Sequence, residues 1–430
     1  MLFFIVFSDI HFYINNRMTR RKKFSLILVL GMITAIGPFS IDMYLPAFTN
    51  IAADLHTTVA HVSLSLSSFF IGISLGQFIY GPLLDRFGRK RPLITGLFIY
   101  LFASVLCAVA GSADSLIGLR FLQALGGCAG MVASRAMVRD LFAVEDNAKI
   151  FSMLMLVVGV SPIVAPTLGG YFTAAFGWHS IFIALTIMAA VILAAVYFVL
   201  PESRPPDPAY SLKPGAIINR FVGVLKEPQF YTYAFTGAIA AAGLYAYIAG
   251  SPSVFMEIFK VSEKQYGWIF ALVAAGLIIS SQLNSLMLRK FKSEQIIQVA
   301  LLGQSITGIS LFICSFNGWI GLTGTIVLVL VFLSCQGFTF PNSSALSMAP
   351  FTKNAGSASA LMGAIQMGIG AFTSALVSYL SNQTSLPMTG VMAGCAISSF
   401  CILMIGGRII RYKATLENVE EETVDMIVNV

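Results

Sequence analysis

The sequence predicts an all-α membrane protein with twelve transmembrane helices in two six-helix halves, and three observations support this class. The chain of 430 residues is 57% hydrophobic and only 10% charged, a composition that a soluble domain of this size would not carry without aggregating. Its apolar residues fall into twelve runs of about 20 residues, the length that a helix needs to cross the hydrocarbon core. One long polar interruption, rich in proline and charge, separates the first six runs from the last six, which indicates an internal duplication.

The predicted organisation follows from these runs. We expect an N-terminal segment (1–23), a first half (24–200), a linker (201–228), a second half (229–410) and a tail (411–430). The sequence MTRRKK at Met18 is typical of a natural start, so we expect residues 1–17 to be a mis-assigned extension. The predicted spans are 24–48, 61–84, 92–111, 115–138, 148–173, 179–200, 229–252, 265–288, 294–315, 318–341, 355–380 and 386–409.

The distribution of basic residues predicts the orientation. Of the 26 Lys and Arg residues, only Lys260 and Lys264 fall in predicted loops on one side, and Arg120 falls within a span. All the others lie on the side of the termini, which the positive-inside rule identifies as cytoplasmic. The net charge of +7 therefore reflects membrane topology and does not indicate nucleic-acid binding. The six cysteines lie in apolar runs without paired spacing, so neither disulfides nor a metal site is predicted.

A charged hairpin, residues 81–92, joins the second and third predicted spans. It contains Gly81, Asp85, Gly88, Arg89 and Lys90, in the order G-x-x-x-D-x-x-G-R-K. Small residues such as Gly76 and Gly81 let a neighbouring helix approach closely, and a glycine at the loop permits a tight turn. The hairpin resembles the loop signature of the major facilitator superfamily, which implies the fold of that family. A loop whose charges only set topology would not need the acid and the glycines.

Few ionisable residues fall inside the predicted spans, where charges are costly and mark functional sites, and Asp42 and Arg120 are the clear ones. Asp42 lies in the first span and Arg120 in the fourth. At about 1.5 Å per residue, each lies roughly 28 Å from the basic edge, so the two share a depth. If both spans face one cavity, as the resemblance implies, Asp42 and Arg120 would approach each other. We predict a proton-coupling and substrate cavity that contains them together with Tyr44 and Gln123.

The hypothesis for Asp42 is that its carboxylate binds and releases a coupling proton, because burial disfavours the charged form and a nearby arginine favours it. An alternative places Asp42 at the outer interface, where Tyr44 and Pro46 mark the end of the span. Arg120 and Gln123 resemble the superfamily's span-four motif R-x-x-Q-G, with Ala124 in place of glycine. A structural alternative for Arg120, in which it bonds backbone carbonyls at a broken helix, remains open.

The fifth span is rich in proline and glycine. Gly159, Pro162, Pro166, Gly169 and Gly170 fall within twelve residues, and we expect them to bend the helix at an interface. The series resembles the antiporter motif of superfamily exporters, G-x-x-x-G-P-x-x-G-G, with Ser161 and Ala165 where glycines are usual. The resemblance implies export, although a proline kink without directional meaning is the alternative.

Further segments narrow the resemblance to the Bcr/CflA branch of drug:proton antiporters. They are DMYLP in the first span, SPSVFMEIFKVSEKQYGW after the seventh and AGSASALMGAIQ in the eleventh. The resemblance implies that Asp85 contacts the start of span eleven, around 354–357, with Arg89 and Arg139 nearby. This contact would close the cytoplasmic side.

The predicted function is proton-coupled export of lipophilic, drug-like molecules by alternating access. We expect a multi-pass protein of the inner membrane with cytoplasmic termini, driven by the proton gradient without a cofactor and active as a monomer. Its partners would be protons, small molecules and the lipid bilayer. A proton-coupled carrier of one metabolite is the alternative within transport, and a helical receptor or channel is the alternative class. An enzyme is not indicated, because no nucleophile, metal cluster or phosphate loop is present in the sequence.

Overall fold

A computed structural model describes residues 19–208, 214–351 and 355–428, and all regular secondary structure of these residues is helical. Twelve helical stretches within the described ranges are long and apolar enough to cross a membrane, which confirms the twelve predicted spans. The predicted extension 1–17 lies outside the described residues, and so does Asn354.

The chain divides into two compact units. The first comprises the described residues within Met1–Lys213 together with Phe255–Leu272. The sequence predicts one span over 24–48, but in the structure a 3₁₀ turn interrupts this first membrane stretch. The next five membrane stretches are continuous helices. The elements of this unit are α1 (Arg20–Asp42), a 3₁₀ turn (Leu45–Ala47), α2 (Phe48–Asp54), α3 (Val59–Phe87), α4 (Lys90–Ala108), α5 (Ala113–Leu141), α6 (Val144–Phe176) and α7 (His179–Val199).

The second unit comprises the described residues within Pro214–Val254 and Val273–Val430. Its first helix belongs to the predicted linker, and its last continues through most of the predicted tail. The predicted domain boundaries remain a prediction. The elements are α8 (Pro214–Leu225), α9 (Pro228–Pro252), α10 (Glu263–Met287, counted with the first unit up to Leu272), α11 (Ser293–Phe316), α12 (Leu322–Met348), α13 (Ala355–Tyr379) and α14 (Leu386–Val428).

Local sequence sets the helix ends of the first unit. The Thr58 side chain accepts a hydrogen bond from the His61 N–H (3.1 Å) at the start of α3. Ser112 and Ser115 form a reciprocal capping box at the start of α5, which satisfies donors that a helix N-terminus leaves free. Gly88, with φ +83°, follows the end of α3 in a conformation that favours glycine.

Small residues bring α3 and α5 into close contact. A Cβ placed on Gly72 would lie 2.6 Å from the carbonyl oxygen of Phe121, and one placed on Gly76 would lie 2.6 Å from Cys128 Cβ. The predicted close approach at Gly76 is therefore found. It is wrong at Gly81, because a Cβ there would meet nothing within 4 Å.

Helices α4 and α5 also meet through a glycine, which gives a test of this packing. A Cβ at Gly126 would lie 2.5 Å from the Tyr100 nitrogen and 2.6 Å from Gly96 O. We expect Gly126→Ala to lower the free energy of unfolding by about 1–3 kcal/mol, the usual cost of overpacking. Thermal unfolding of the purified protein in detergent measures this change.

Gly118→Ala on the same helix is the matched control, because Gly118 is exposed and has open space around it. The control should keep the wild-type melting temperature or raise it slightly, since alanine favours helix. Equal melting temperatures for the two variants would contradict the close contact at Gly126.

Candidate functional site at the break in the first span

The first membrane stretch breaks at Asp42. The last hydrogen bond of α1 runs from the Met43 N–H to Phe39 O (3.2 Å), and the 3₁₀ turn follows at Leu45. The break is not at a wet surface, because Asp42 is only 5% exposed and Tyr44 is fully buried. A buried helix end leaves carbonyl oxygens that need another donor.

Arg120 of α5 supplies that donor. Its Nη2 donates to the Ser40 carbonyl oxygen (2.7 Å), two residues before the break, and its Nη1 donates to Gln123 Oε1. The Arg120 side chain is fully buried. A cation at a helix C-terminus also interacts favourably with the helix dipole. Arg120 therefore caps α1 from another helix.

Aromatic rings surround the guanidinium. Its central carbon lies 4.2 Å from the ring centroid of Phe69, 4.7 Å from that of Tyr44 and 5.8 Å from that of Phe182. The Nε of Arg120 has no hydrogen-bond partner among the described residues. Cation–π attraction therefore takes the place of part of the lost hydration.

Hydroxyl groups extend the cluster to α3 and α4. Gln123 Nε2 donates to Ser104 Oγ (2.7 Å) on α4. Since Ser40 Oγ donates to Ile36 O (2.6 Å), it accepts from Tyr100 OH, which lies 2.6 Å away. By the same reasoning, Tyr44 OH donates to Ser65 Oγ (3.0 Å), because that hydroxyl donates to Val62 O. We call Ser40, Tyr44, Ser65, Tyr100, Ser104, Arg120 and Gln123 the arginine cluster.

Asp42 adjoins the arginine cluster but is not bonded to it. Its carboxylate has no hydrogen-bond or ion-pair partner among the described residues, and Arg120 turns its donors to Ser40 and Gln123. The contact of Arg120 with the Ser40 carbonyl matches the structural alternative, in which Arg120 bonds a backbone carbonyl at a broken helix. The interface alternative for Asp42 does not match its burial.

The glycine-rich helix α6 packs against the break. A Cβ on Gly169 would collide with the Met43 carbonyl oxygen, and one on Gly170 would lie 2.5 Å from Glu263 O. Pro162 and Pro166 both lie within α6, which is helical from Val144 to Phe176. Gly159 also lies in α6, and the predicted bend remains a prediction. The motif residues Gly169 and Gly170 thus allow backbone-to-backbone approach, and Gly169 does so one residue from Asp42.

At the other end of α3, the charged hairpin holds an ion-pair network. Arg89 is 5% exposed, and its Nη1 donates to Asp85 Oδ1 and its Nε to Asp140 Oδ2, both at 2.8 Å. Burial acts to lower the pKa of Arg89, but the hydrogen bonds and charges of Asp140 and Asp85 outweigh it and raise the pKa above its ordinary value. Arg89 therefore stays charged.

Sequence reasoning placed Arg139 in this network, but its neighbour Asp140 makes the contact and Arg139 is exposed. Asp140 could have been found from its position, since it is an acid in the last turn of the fourth span, facing a hairpin rich in arginine. Sequence reasoning also missed Ser40, Tyr100 and Ser104, whose hydroxyl groups carry no signal that separates them from other serines and tyrosines in apolar runs.

The second unit has a neutral buried cluster. Gln304 of α11 and Gln336 of α12 are 0% and 2% exposed, and their amides lie 3.3 Å apart. The Gln304 amide also reaches Ala240 O of α9, at 3.5 Å. Among the described residues, no buried Asp, Glu, Lys or Arg lies in this unit.

Comparisons with known proteins match nearly the whole chain. The model of the Major Facilitator Superfamily matches residues 28–375. The chain is 30% identical over 380 residues to a bicyclomycin resistance protein homolog of Haemophilus influenzae, covering 88% of this chain and 95% of that protein. It is 29% identical over 374 residues to the multidrug resistance protein MdtL of Escherichia coli, covering 85% and 92%. A solved D-xylose-proton symporter shares the fold, with a TM-score of 0.68 at 15% identity over 88% of this chain and 97% of that one.

The cap that Arg120 provides can be tested with a conservative change. Arg120→Lys keeps the charge but loses the planar fork, so either Ser40 O or the Gln123 amide is left unpaired. We expect the free energy of unfolding to fall by about 1–3 kcal/mol. Thermal unfolding in detergent measures the loss, with Arg139→Lys, an exposed position on the same helix, as control. A melting temperature equal to that of the control would show that the fork is not required.

Proposed function

Because the chain belongs to the major facilitator superfamily, we propose that it exports lipophilic, drug-like molecules in exchange for protons. The mechanism is alternating access, in which a binding site opens to one side of the membrane at a time. The names of the relatives from H. influenzae and E. coli, a bicyclomycin resistance protein homolog and a multidrug resistance protein, support the direction and the kind of substrate.

The observation that carries the proton exchange is the state of Asp42. It is the one buried acidic side chain among the described residues, and no hydrogen bond or ion pair with them holds its charge. A charged carboxylate is costly in such a place, so Asp42 gains by taking up a proton when it is enclosed. When water reaches it from the side of low proton concentration, it releases that proton. Asp42 is thus the proton carrier.

Arg120 has a different role in this proposal. The Ser40 carbonyl, Gln123 and three aromatic rings stabilise its positive charge and hold the guanidinium in place. Because these contacts already engage its donors, Arg120 forms no ion pair with Asp42 that would trap the anion. Tyr44, between the two on the chain, ties the break to α3 through Ser65. Proton release and the geometry of the break are therefore linked.

The driving force is sufficient for this exchange. A membrane potential of about 100 mV is worth about 2.3 kcal/mol per charge, or roughly a 50-fold gradient. Exchange of one proton for one monovalent cation moves no net charge, so only the pH gradient would drive export of such a cation. Neutral substrates would use the potential as well. No cofactor is needed, and a single chain contains both parts of the proposed proton site.

The remaining parts of the proposal concern the membrane. The excess of basic residues on one side supports an inner-membrane protein whose termini are cytoplasmic. On that side we propose that the hairpin network of Asp85, Arg89 and Asp140 is a gate. Its ion pairs hold α3, α4 and α5 together at one end.

Substitution of the proton carrier tests the exchange. We expect cells that express the wild type to accumulate less of a fluorescent lipophilic cation than empty cells, and a protonophore to abolish the difference. Asp42→Asn should accumulate the dye as empty cells do, because an amide cannot carry the proton. The control Asp114→Asn removes an exposed acid that pairs with His61 (2.9 Å), and it should behave as the wild type.

The abundance of each variant in the membrane is measured beside its accumulation. Export by Asp42→Asn with the protonophore response intact would contradict the role of Asp42. Competition by a single metabolite, with no effect of unrelated drugs, would favour the carrier of a specific metabolite.

The gate predicts a separation of transport rate from substrate binding. Asp85→Asn weakens the contacts with Arg89 and with Arg204 (3.4 Å), so we expect a maximal transport rate about tenfold lower, which corresponds to about 1.4 kcal/mol. The substrate dissociation constant should stay within about twofold, because Asp42 and the arginine cluster are untouched.

Asp146→Asn, which breaks an exposed ion pair with Lys23 (2.6 Å), is the control for loss of surface charge. Direct binding to purified protein and initial rates of dye efflux measure the two quantities. Loss of binding in Asp85→Asn would contradict the gate.

A further inference from the structure

The N-terminus of α4 lacks a cap of its own. Arg89 precedes the first residue of the helix, and its side chain makes no capping hydrogen bond, since its guanidinium is committed to Asp85 and Asp140. Glu202, at the start of the linker, accepts hydrogen bonds from the free N–H groups at this helix end. Its carboxylate accepts from the Arg89 N–H (2.6 Å) and from the Lys90 N–H (3.1 Å). A negative charge at this end also complements the helix dipole.

Gly88 makes room for this carboxylate. A Cβ on Gly88 would lie 2.8 Å from Glu202 Oε2, and the φ of Gly88 is +83°. Any other residue would therefore be strained and would also push Glu202 away. Gly88 therefore permits both the turn of the hairpin and the contact with Glu202 of the linker.

Lys90 caps the helix that precedes Glu202. Its Nζ donates to the carbonyl oxygens of Tyr197 (2.8 Å) and Leu200 (2.7 Å), at the end of α7. A cation thus occupies the C-terminal end of α7 while an anion from the following segment occupies the N-terminal end of α4. The two helix ends cap each other.

The next two linker residues contact the acids of the network. Ser203 Oγ donates to Asp140 Oδ2 (3.1 Å), and Arg204 Nη1 lies 3.4 Å from Asp85 Oδ1. Residues 202–204 therefore contact the N-terminal end of α4, where Arg89 lies, and they also contact the two carboxylates that bind Arg89.

We propose that residues 202–204 are part of the gate, with Glu202 as the residue that positions Arg89 between Asp85 and Asp140. The inference rests on the proposed function of the hairpin as a gate. Glu202 holds the first turn of α4, and the Arg89 backbone, fixed by this contact, aims the guanidinium at both acids. A pull on the linker would draw Glu202 from the end of α4 and release Arg89. The linker thus acts on the gate directly, as more than a tether between the halves.

Amide hydrogen exchange of the whole protein in nanodiscs tests the contact without any transport. The Arg89 and Lys90 N–H groups should exchange about tenfold faster in Glu202→Ala than in the wild type, because a lost cap exposes them to water. Glu227→Ala removes another linker acid, which precedes α9 without a side-chain capping bond, and should leave these amides unchanged. Unchanged exchange in Glu202→Ala would overturn the proposal.

Transport separates a positioning role from a merely structural one. Glu202→Ala should lower the maximal rate of dye efflux by about three- to tenfold with KM unchanged. Glu202→Gln keeps an accepting oxygen and should restore most of the rate and of the amide protection. Faster exchange with a wild-type rate would overturn the gate role of Glu202. Absence of export by the wild type would contradict the proposed function instead, and the exchange experiment would still decide whether Glu202 holds α4.

Discussion

The site depends on one hydrogen bond, from Arg120 Nη2 to the carbonyl oxygen of Ser40. A helix that ends inside a packed protein leaves carbonyl groups without donors, and the free energy cost of such groups is large. Arg120 meets this demand and adds a charge that is favourable at a helix C-terminus. Because the charge is already engaged with a backbone dipole and aromatic rings, it does not need Asp42 as a partner. The carboxylate stays available for a proton.

The two units differ in how they use buried polarity. In the first, Asp42, Arg89 and Arg120 are buried and charged or able to become so, whereas the buried polar groups described in the second are neutral. Gln304 and Gln336 join α11 and α12 with the backbone of α9, much as Gln123 joins α5 to α4. Neutral amides hold helices together at any proton concentration. Among the described residues, the proposed protonation of Asp42 therefore has no buried acidic counterpart in the second unit, and this asymmetry suits a carrier with one proton site.

The sequence predicted the twelve spans, because they follow from hydropathy. It did not predict how α1 would end. Apart from Asp42, the run from 24 to 48 is largely apolar, and only the structure shows that the chain leaves the helix at Asp42 and that Arg120 bonds Ser40. The approach of Asp42 to Arg120 was inferred from their shared depth and from the resemblance, but Arg120 donates to the neutral Ser40 carbonyl instead. Glu202 was missed for a related reason, since its partner Arg89 is 113 residues away and the contact depends on tertiary packing.

The proposed proton site and the proposed gate lie on the same pair of helices. Arg120 and Asp140 are both on α5, about 30 Å apart at 1.5 Å per residue, while α3 carries Phe69 at one site and Asp85 at the other. Between the two sites, Gly72 and Gly76 bring α3 against the backbone and Cβ atoms of α5. Helices that touch at this distance cannot slide without collision, so α3 and α5 move as one body. Since Gly96 and Gly126 bring α4 equally close to α5, a change at the arginine cluster that tilts this pair would carry Arg89, which begins α4, together with Asp85 and Asp140. Coupling between the two sites then needs no chain of altered side chains, because the rigid pair itself connects them.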